Sequence, residues 1–235
     1  MREAPSISHI DRLDLYFAPR PWDFAIERRG EIDSFFSSLR QNKPAIWNGR
    51  VLLLHHQAVT DGVFQGGFLE TDYASFAAWR HWGSPRANVY NCFSAAAIRT
   101  ADGAFLVGVM GPRTLNAGKI YFPCGTPDLK DIVGDKVDLE LSVARELHEE
   151  TGLDVTEFAR EPGWTMVADG PLIAQIKVLR SKEASAVLRK RVLVHLASDQ
   201  DPELADIRVV RSCEDLDPAM PRFVSTFLVS RLGGG

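Results

Sequence analysis

At 235 residues with 45% hydrophobic content, the chain has ample material for a core, as one large domain or as one domain with an N-terminal extension. A formal net charge of −4 argues against a bulk binder of nucleic-acid polymers or membrane surfaces, which would carry a basic excess. The longest apolar runs are far too short to span a bilayer, residues 1–20 mix charges throughout, and Cys92, Cys124 and Cys213 lack any zinc-like spacing; reduced thiols in a cytoplasmic protein are expected.

Residues 1–45 are mixed and rich in turn formers, with Pro19, Pro21 and Pro44. One short helix is expected over Glu31–Arg40, where Ile32, Phe35, Phe36 and Leu39 recur at helical spacing. Arg50–Val59 reads as a strand, Asp61-Gly62 as a hairpin turn, and Val63–Leu69 as the returning partner. Thr71 or Asp72 caps a helix that runs to about His81. His55 and His56 are adjacent on a strand and point to opposite faces, so ordinary structural roles are expected rather than a shared metal. Trp79, Trp82 and Tyr90 could stack a base, but packing is the expected role. Residues 1–90 thus read as a small α/β extension, packed on or swapped with a second domain over residues 91–235.

That second domain opens with a strand at Asn91–Thr100, a turn at Asp102-Gly103 and a strand at Ala104–Met110. A loop, Gly111–Gly118, and a short strand, Lys119–Phe122, follow. Apolar residues from Leu139 to Ala144 then recur at helical spacing, and Gly152 stands where a C-terminal cap would. A helix over residues 139–151 puts Glu146, Glu149 and Glu150 within an arc of about 100°. Three such carboxylates repel one another and the negative end of the helix dipole, so the arrangement costs stability unless a cation is present. A Glu-rich helix face is most often only solvated. As a ligand set, these hard oxygens suit Mg²⁺ or Mn²⁺ better than Zn²⁺.

Strand-turn-strand follows over Trp164–Leu179 with the turn at Asp169-Gly170. A helix is expected over Ser181–Ala197, capped by Ser181, with Ala184, Val187, Leu188, Val192 and His195 or Leu196 on one face. Its Arg189-Lys190-Arg191 run reads as a solvated face. Asp201-Pro202-Glu203, a strand at Ile207–Val210, a helix from about Pro218 to Arg231 and a frayed tail, Gly233–Gly235, complete the chain.

Arg145-Glu146-Leu147-His148-Glu149-Glu150-Thr151-Gly152-Leu153 resembles the second half of the Nudix box, R-E-U-x-E-E-x-G-U, at every specified position. The entry Phe122-Pro123-Cys124-Gly125 resembles the family's F-P-G-G, with Cys124 in place of the first Gly. The loop from Gly125 to Arg145 is about six residues longer than the family's. Without a gap, the first box Glu falls on Val137; Asp131, Asp135, Asp138 or Glu140 could stand in for it. The resemblance covers roughly residues 91–231. It implies an α/β/α sandwich with a mixed sheet, here preceded by the α/β extension.

It also implies a hydrolase that cleaves a diphosphate linkage in a nucleoside diphosphate joined to some moiety X. Glu146, Glu149 and Glu150 would hold Mg²⁺ or Mn²⁺, and Arg145 would pair with a neighbouring carboxylate and orient it. Gly125 would let the loop backbone approach the helix, and Arg113 and Asn116 would face the substrate. Glu203 is the best loop residue for the general base, with Asp201 second, although a surface turn explains Asp201-Pro202-Glu203 equally well. The stretch Arg113–Pro123 faintly resembles the region before the box in coenzyme A pyrophosphatases. Two alternatives stay open: such a coenzyme A-type diphosphatase, or a Nudix-fold nucleotide-binding or sensor protein with little hydrolysis. The expected partner is a small-molecule diphosphate, with no nucleic-acid polymer and no membrane; a homodimer is left open.

Overall fold

The computed structural model describes residues 3–44, 46–85 and 88–233, so the expected frayed tail beyond Gly233 lies outside the described residues. Two strands, β1 (Ser6–Ile10) and β2 (Arg12–Phe17), precede helices α1 (Asp23–Glu27) and α2 (Arg29–Asn42). The hairpin of β3 (Arg50–Thr60) and β4 (Val63–Asp72) turns on Asp61 and Gly62, at φ 50° and 73°, as a tight two-residue loop requires. Helix α3 (Tyr73–His81) starts on Asp72, whose carboxylate accepts the Ser75 N–H. Then come β5 (Asn91–Arg99), β6 (Phe105–Met110), β7 (Ile120–Tyr121), β8 (Cys124–Gly125), β9 (Ile132–Val133) and β10 (Lys136–Val137). Helix α4 (Leu139–Thr151) is followed by β11 (Ala159–Arg160), β12 (Trp164–Asp169), β13 (Leu172–Arg180), α5 (Ser185–Ser198), β14 (Leu204–Val210) and α6 (Arg222–Leu232).

These elements form two compact units: Met1–Asp11, Phe93–Gly125 and Leu139–Gly235 make one, Arg12–Cys92 and Thr126–Asp138 the other. The chain changes unit at 11/12, 92/93, 125/126 and 138/139.

In the first unit the sheet order is β1-β12-β13-β5-β6-β14, with β11 beside β13, β7 beside β6 and β8 beside β5. Most pairs are antiparallel, but β13 and β5 run parallel: the Ser181 N–H donates to the Arg99 carbonyl at 2.8 Å where both strands end. Helices cover both faces. Phe93 of β5 meets Phe223 of α6 edge to face at 5.3 Å, and Phe227 of α6 packs likewise on Phe105 and Phe122. The opposite face carries α4, placed by the buried Leu139, Val143 and Leu147. The expected α/β/α sandwich with a mixed sheet is what the chain forms.

In the second unit the sheet order is β3-β4-β2-β10-β9, with β2 parallel to β4 and the other pairs antiparallel. Its core gathers Trp22, Val51, Leu53, Leu69, Phe76 and Trp79, so Trp79 packs rather than stacking a ligand. His55 Nε2 lies 3.2 Å from the Ala18 carbonyl, while His56 is exposed. The stretch between Gly125 and α4 contains β9 and β10, which extend this unit's sheet beside β2.

Several expected elements shift. Residues 1–45 contain β1 and β2, which the turn-rich reading left out; β1 is exposed at four of five positions and so lacks the apolar alternation that marks a strand. Helix α5 starts at Ser185, not Ser181. Ser181 Oγ instead accepts the Glu183 N–H, and the Asp102 carboxylate accepts the N–H and O–H of Ser185. Val187 is 47% exposed, whereas Leu188, Val192 and Leu196 form the buried face. Helix α6 starts four residues later than expected, after Pro221. No helix among the described residues is long and apolar enough to cross a membrane.

Candidate active site

Helix α4 spans the residues expected for it. It stops at Gly152, at φ +69°, whose N–H bonds the His148 carbonyl at 2.8 Å. A side chain at Gly152 would also strike the His195 ring at 2.6 Å. Anchoring by Leu139, Val143 and Leu147 turns Glu150 fully inward and Glu146 largely so, and leaves Glu149 and His148 at the surface.

Strand β8 lies against the inner glutamates. A Cβ on Gly125 would meet Glu146 Oε1 at 2.0 Å, so only glycine lets the loop backbone pass there. The Cys124 N–H donates to Glu150 Oε1 at 3.1 Å. Arg145 donates from Nη1 to Glu146 Oε1 at 2.7 Å and to Glu149 Oε2 at 3.4 Å. Glu203 enters just ahead of β14; its carbonyl accepts the Gly111 N–H at 2.7 Å, and its charge is felt by both Glu146 and Glu150. Arg113 pairs with Asp201 at 2.6 Å, which ties the loop after β6 to the loop before β14. Asn116 donates to the Tyr121 hydroxyl at 3.0 Å.

Burial pushes the Glu146 carboxyl up to about 7; Arg145 opposes that shift, and Glu149 and Glu203 add to it. Glu150 is raised well above the carboxylate range, first by burial and then by Glu146 and Glu203, against the Cys124 N–H. Although Glu203 is exposed as a residue, partial desolvation of its carboxyl is the largest cause of its upward shift, followed by Glu149 and Asp201.

These shifts set a pH dependence for the metal-free protein. Glu146 keeps its proton to about pH 7 when folded, against an ordinary 4.5. Its contribution to stability is therefore fully present below about 4.5 and lost as pH rises through about 7. The loss is on the order of 3 kcal/mol. Thermal melts across that window should fall with pH, and Glu146→Gln should flatten the slope; an unchanged slope in the variant would refute this.

Of the stand-ins for the first box Glu, Asp131, Asp135 and Asp138 belong to the second unit. Asp131 accepts the Asp128 N–H at 3.0 Å, and the Asp135 carbonyl accepts the Phe17 N–H. Glu140 is engaged by Arg160 and Lys177. Arg189 pairs with Asp206, and Arg191 with Glu157 and Glu183, so these basic residues are held in ion pairs. A cleft of about 300 Å³ lined by Arg99, Thr100, Ala101, Gly103, Arg180 and Ser181 includes none of the carboxylates. The Cys124 N–H and the buried Ser94, Ser142 and Gln175 are not among the residues expected from the sequence. Only Ser142 carried a signal, one helical turn before Glu146.

Among the described residues, no three His, Cys, Asp or Glu side chains stand in a metal-holding group. Two observations nevertheless fit a divalent cation. Glu150 Oε2 is buried with no hydrogen-bond partner among the described residues, and the groups whose charge acts on it, Glu146 and Glu203, offer hard carboxylate oxygens.

No family model matches the chain, and no curated protein matches it. Among solved structures it is similar to a Nudix hydrolase from M. smegmatis, RenU, at 17% identity and a TM-score of 0.33, over 55% of this chain and 76% of that one. A MutT protein from Methanosarcina mazei Go1 aligns at 20% identity and a TM-score of 0.39, over 60% of this chain and 92% of that one. A bifunctional NMN adenylyltransferase/ADP ribose pyrophosphatase from Francisella tularensis, complexed with AMP and a Mn ion, aligns at 12% and 0.35, over 57% of this chain and 37% of that one.

Proposed function

We propose that this chain is a Nudix-type hydrolase, dependent on Mg²⁺ or Mn²⁺, that cleaves the diphosphate linkage of a nucleoside diphosphate joined to a moiety X. The observation that carries the reading is Glu150 Oε2, buried without a hydrogen-bond partner among the described residues, on a helix whose sequence resembles the second half of the Nudix box. A buried carboxylate oxygen in that state is costly unless a cation comes to it.

Glu146, Glu149 and Glu150 would hold the cation, which when bound neutralises diphosphate charge and acidifies a water. Arg145, bonded to Glu146 and Glu149, offsets their mutual repulsion and keeps both carboxylates at the mouth of the site. The Cys124 N–H fixes the rotamer of Glu150, and Gly125 leaves the space that Glu146 fills. Glu203, its carboxyl raised above the ordinary value by partial desolvation, suits the acceptance of a proton from the attacking water. Arg113, paired with Asp201, would meet a phosphate from solvent.

The test is a panel of diphosphate compounds with Mg²⁺, read by release of phosphate or mononucleotide. Thermal melts with Mn²⁺ provide an independent check. Saturation at about 100-fold over the dissociation constant adds about 2.7 kcal/mol, because the ion binds the native state and not the unfolded one. Melting unchanged at millimolar Mn²⁺ and no product from the panel would refute the proposal. One observation favours a nucleotide-binding or sensor protein: Val137 occupies the ungapped position of the first box Glu and is buried in β10. Tight nucleotide binding without turnover would select that reading.

A further inference from the structure

The sheet face beneath α4 carries polar side chains that the proposed reaction does not use. Ser94 on β5 lies directly across from Gly125 on β8, and opposed residues of antiparallel strands send their side chains to one face. Glu146 stands on that face, since a Cβ on Gly125 would meet its carboxylate. Counting back equally from Ser181 and Thr100 along the parallel β13 and β5 sets Gln175 beside Ser94, on the same face. Lys177 shares that face and reaches the Glu140 carboxylate of α4 at 3.3 Å, so α4 runs over Gln175 and Ser94 on its way to Gly125. Ser142 lies one turn before Glu146 on the same side of α4.

All three residues are wholly buried. Ser94 Oγ, Ser142 Oγ and both polar atoms of the Gln175 amide have no hydrogen-bond partner among the described residues. Unpartnered polar atoms are costly in a core, and Leu or Met would fill the same strand position without that penalty. Buried polar side chains of this kind are satisfied by ordered water where the site has room for it. Cation-binding carboxylates are commonly steadied by a further hydrogen bond behind them. Neutral donors do this without cancelling the charge offered to the cation, as a guanidinium would.

We propose that Gln175, Ser94 and Ser142 hold ordered water against the inner side of Glu146, and that Gln175 is a positioning residue for this carboxylate. The inference rests on the reading of Glu146 as a cation ligand.

Its test is Mn²⁺ titration of the full chain, followed by the paramagnetic resonance of free Mn²⁺, for wild type, Gln175→Leu, Gln175→Met and Ser94→Ala. We expect at least a ten-fold weaker Mn²⁺ affinity in both Gln175 variants and a smaller loss in Ser94→Ala. The metal-free Tm should be held or raised, and on any compound hydrolysed in the panel kcat should fall at unchanged KM. A lowered Tm with wild-type Mn²⁺ affinity would mean a merely structural role and overturn the inference. So would wild-type affinity and kcat in all three variants, which would leave the metal reading standing. Absence of Mn²⁺ binding by the wild type overturns both. If Gln175→Leu does not fold, Gln175→Met and Ser94→Ala decide by the same criterion.

Discussion

Glu150→Gln and Glu149→Gln are each expected to lower turnover by about 10²–10³-fold on a substrate the wild type hydrolyses. The amide keeps the shape of the side chain and removes the charge that would face the proposed cation. Glu150 has the stronger case, because its Oε2 is buried with no hydrogen-bond partner among the described residues, while Oε1 is held by the Cys124 N–H. Metal-free stability should hold or rise in Glu150→Gln, since burying a neutral amide costs less than burying a carboxylate crowded by Glu146 and Glu203. Glu149 is exposed and its pair with Arg145 is long, at 3.4 Å, so its loss should register in turnover and Mn²⁺ affinity rather than in Tm. His148 is exposed on the same turn, and His148→Gln should leave all three quantities close to wild type. Full activity in both glutamate variants would remove this helix from the chemistry.

Glu203→Gln should lower kcat by about 10²–10⁴-fold, the range for losing a general base, with Mn²⁺ affinity changed by less than about ten-fold. The argument is electrostatic as well as positional. Glu203 raises both Glu146 and Glu150 by its charge, and partial desolvation followed by Glu149 and Asp201 raises Glu203 itself, which favours proton uptake by this carboxylate. Its neighbour Asp201 is exposed and paired with Arg113, and Asp201→Asn should cost far less. Steady-state kinetics on the two variants separate the residues. A wild-type rate in Glu203→Gln, or a larger loss in Asp201→Asn, would move the base elsewhere.

What the sequence determined by itself was local. The apolar spacing of Leu139, Val143 and Leu147 with Gly152 after them is enough to specify α4, because helix contacts and caps lie within a few residues. The face shared by Glu146, Glu149 and Glu150 follows from helix geometry, and the Asp61-Gly62 turn between two apolar runs specifies its hairpin. What only the tertiary structure decided depends on partners far along the chain. Exposed β1 is a strand because β12 pairs with it, and the stretch between Gly125 and α4 contains β9 and β10 because β2 offers an edge. Helix α5 begins at Ser185 because Asp102, 83 positions away, accepts its N–H. The same holds for the chemistry: the elevated carboxyl of Glu146 and the neighbouring Ser94 and Gln175 arise from burial and strand register. Both are properties of the packed chain, and spacing along the sequence does not encode them.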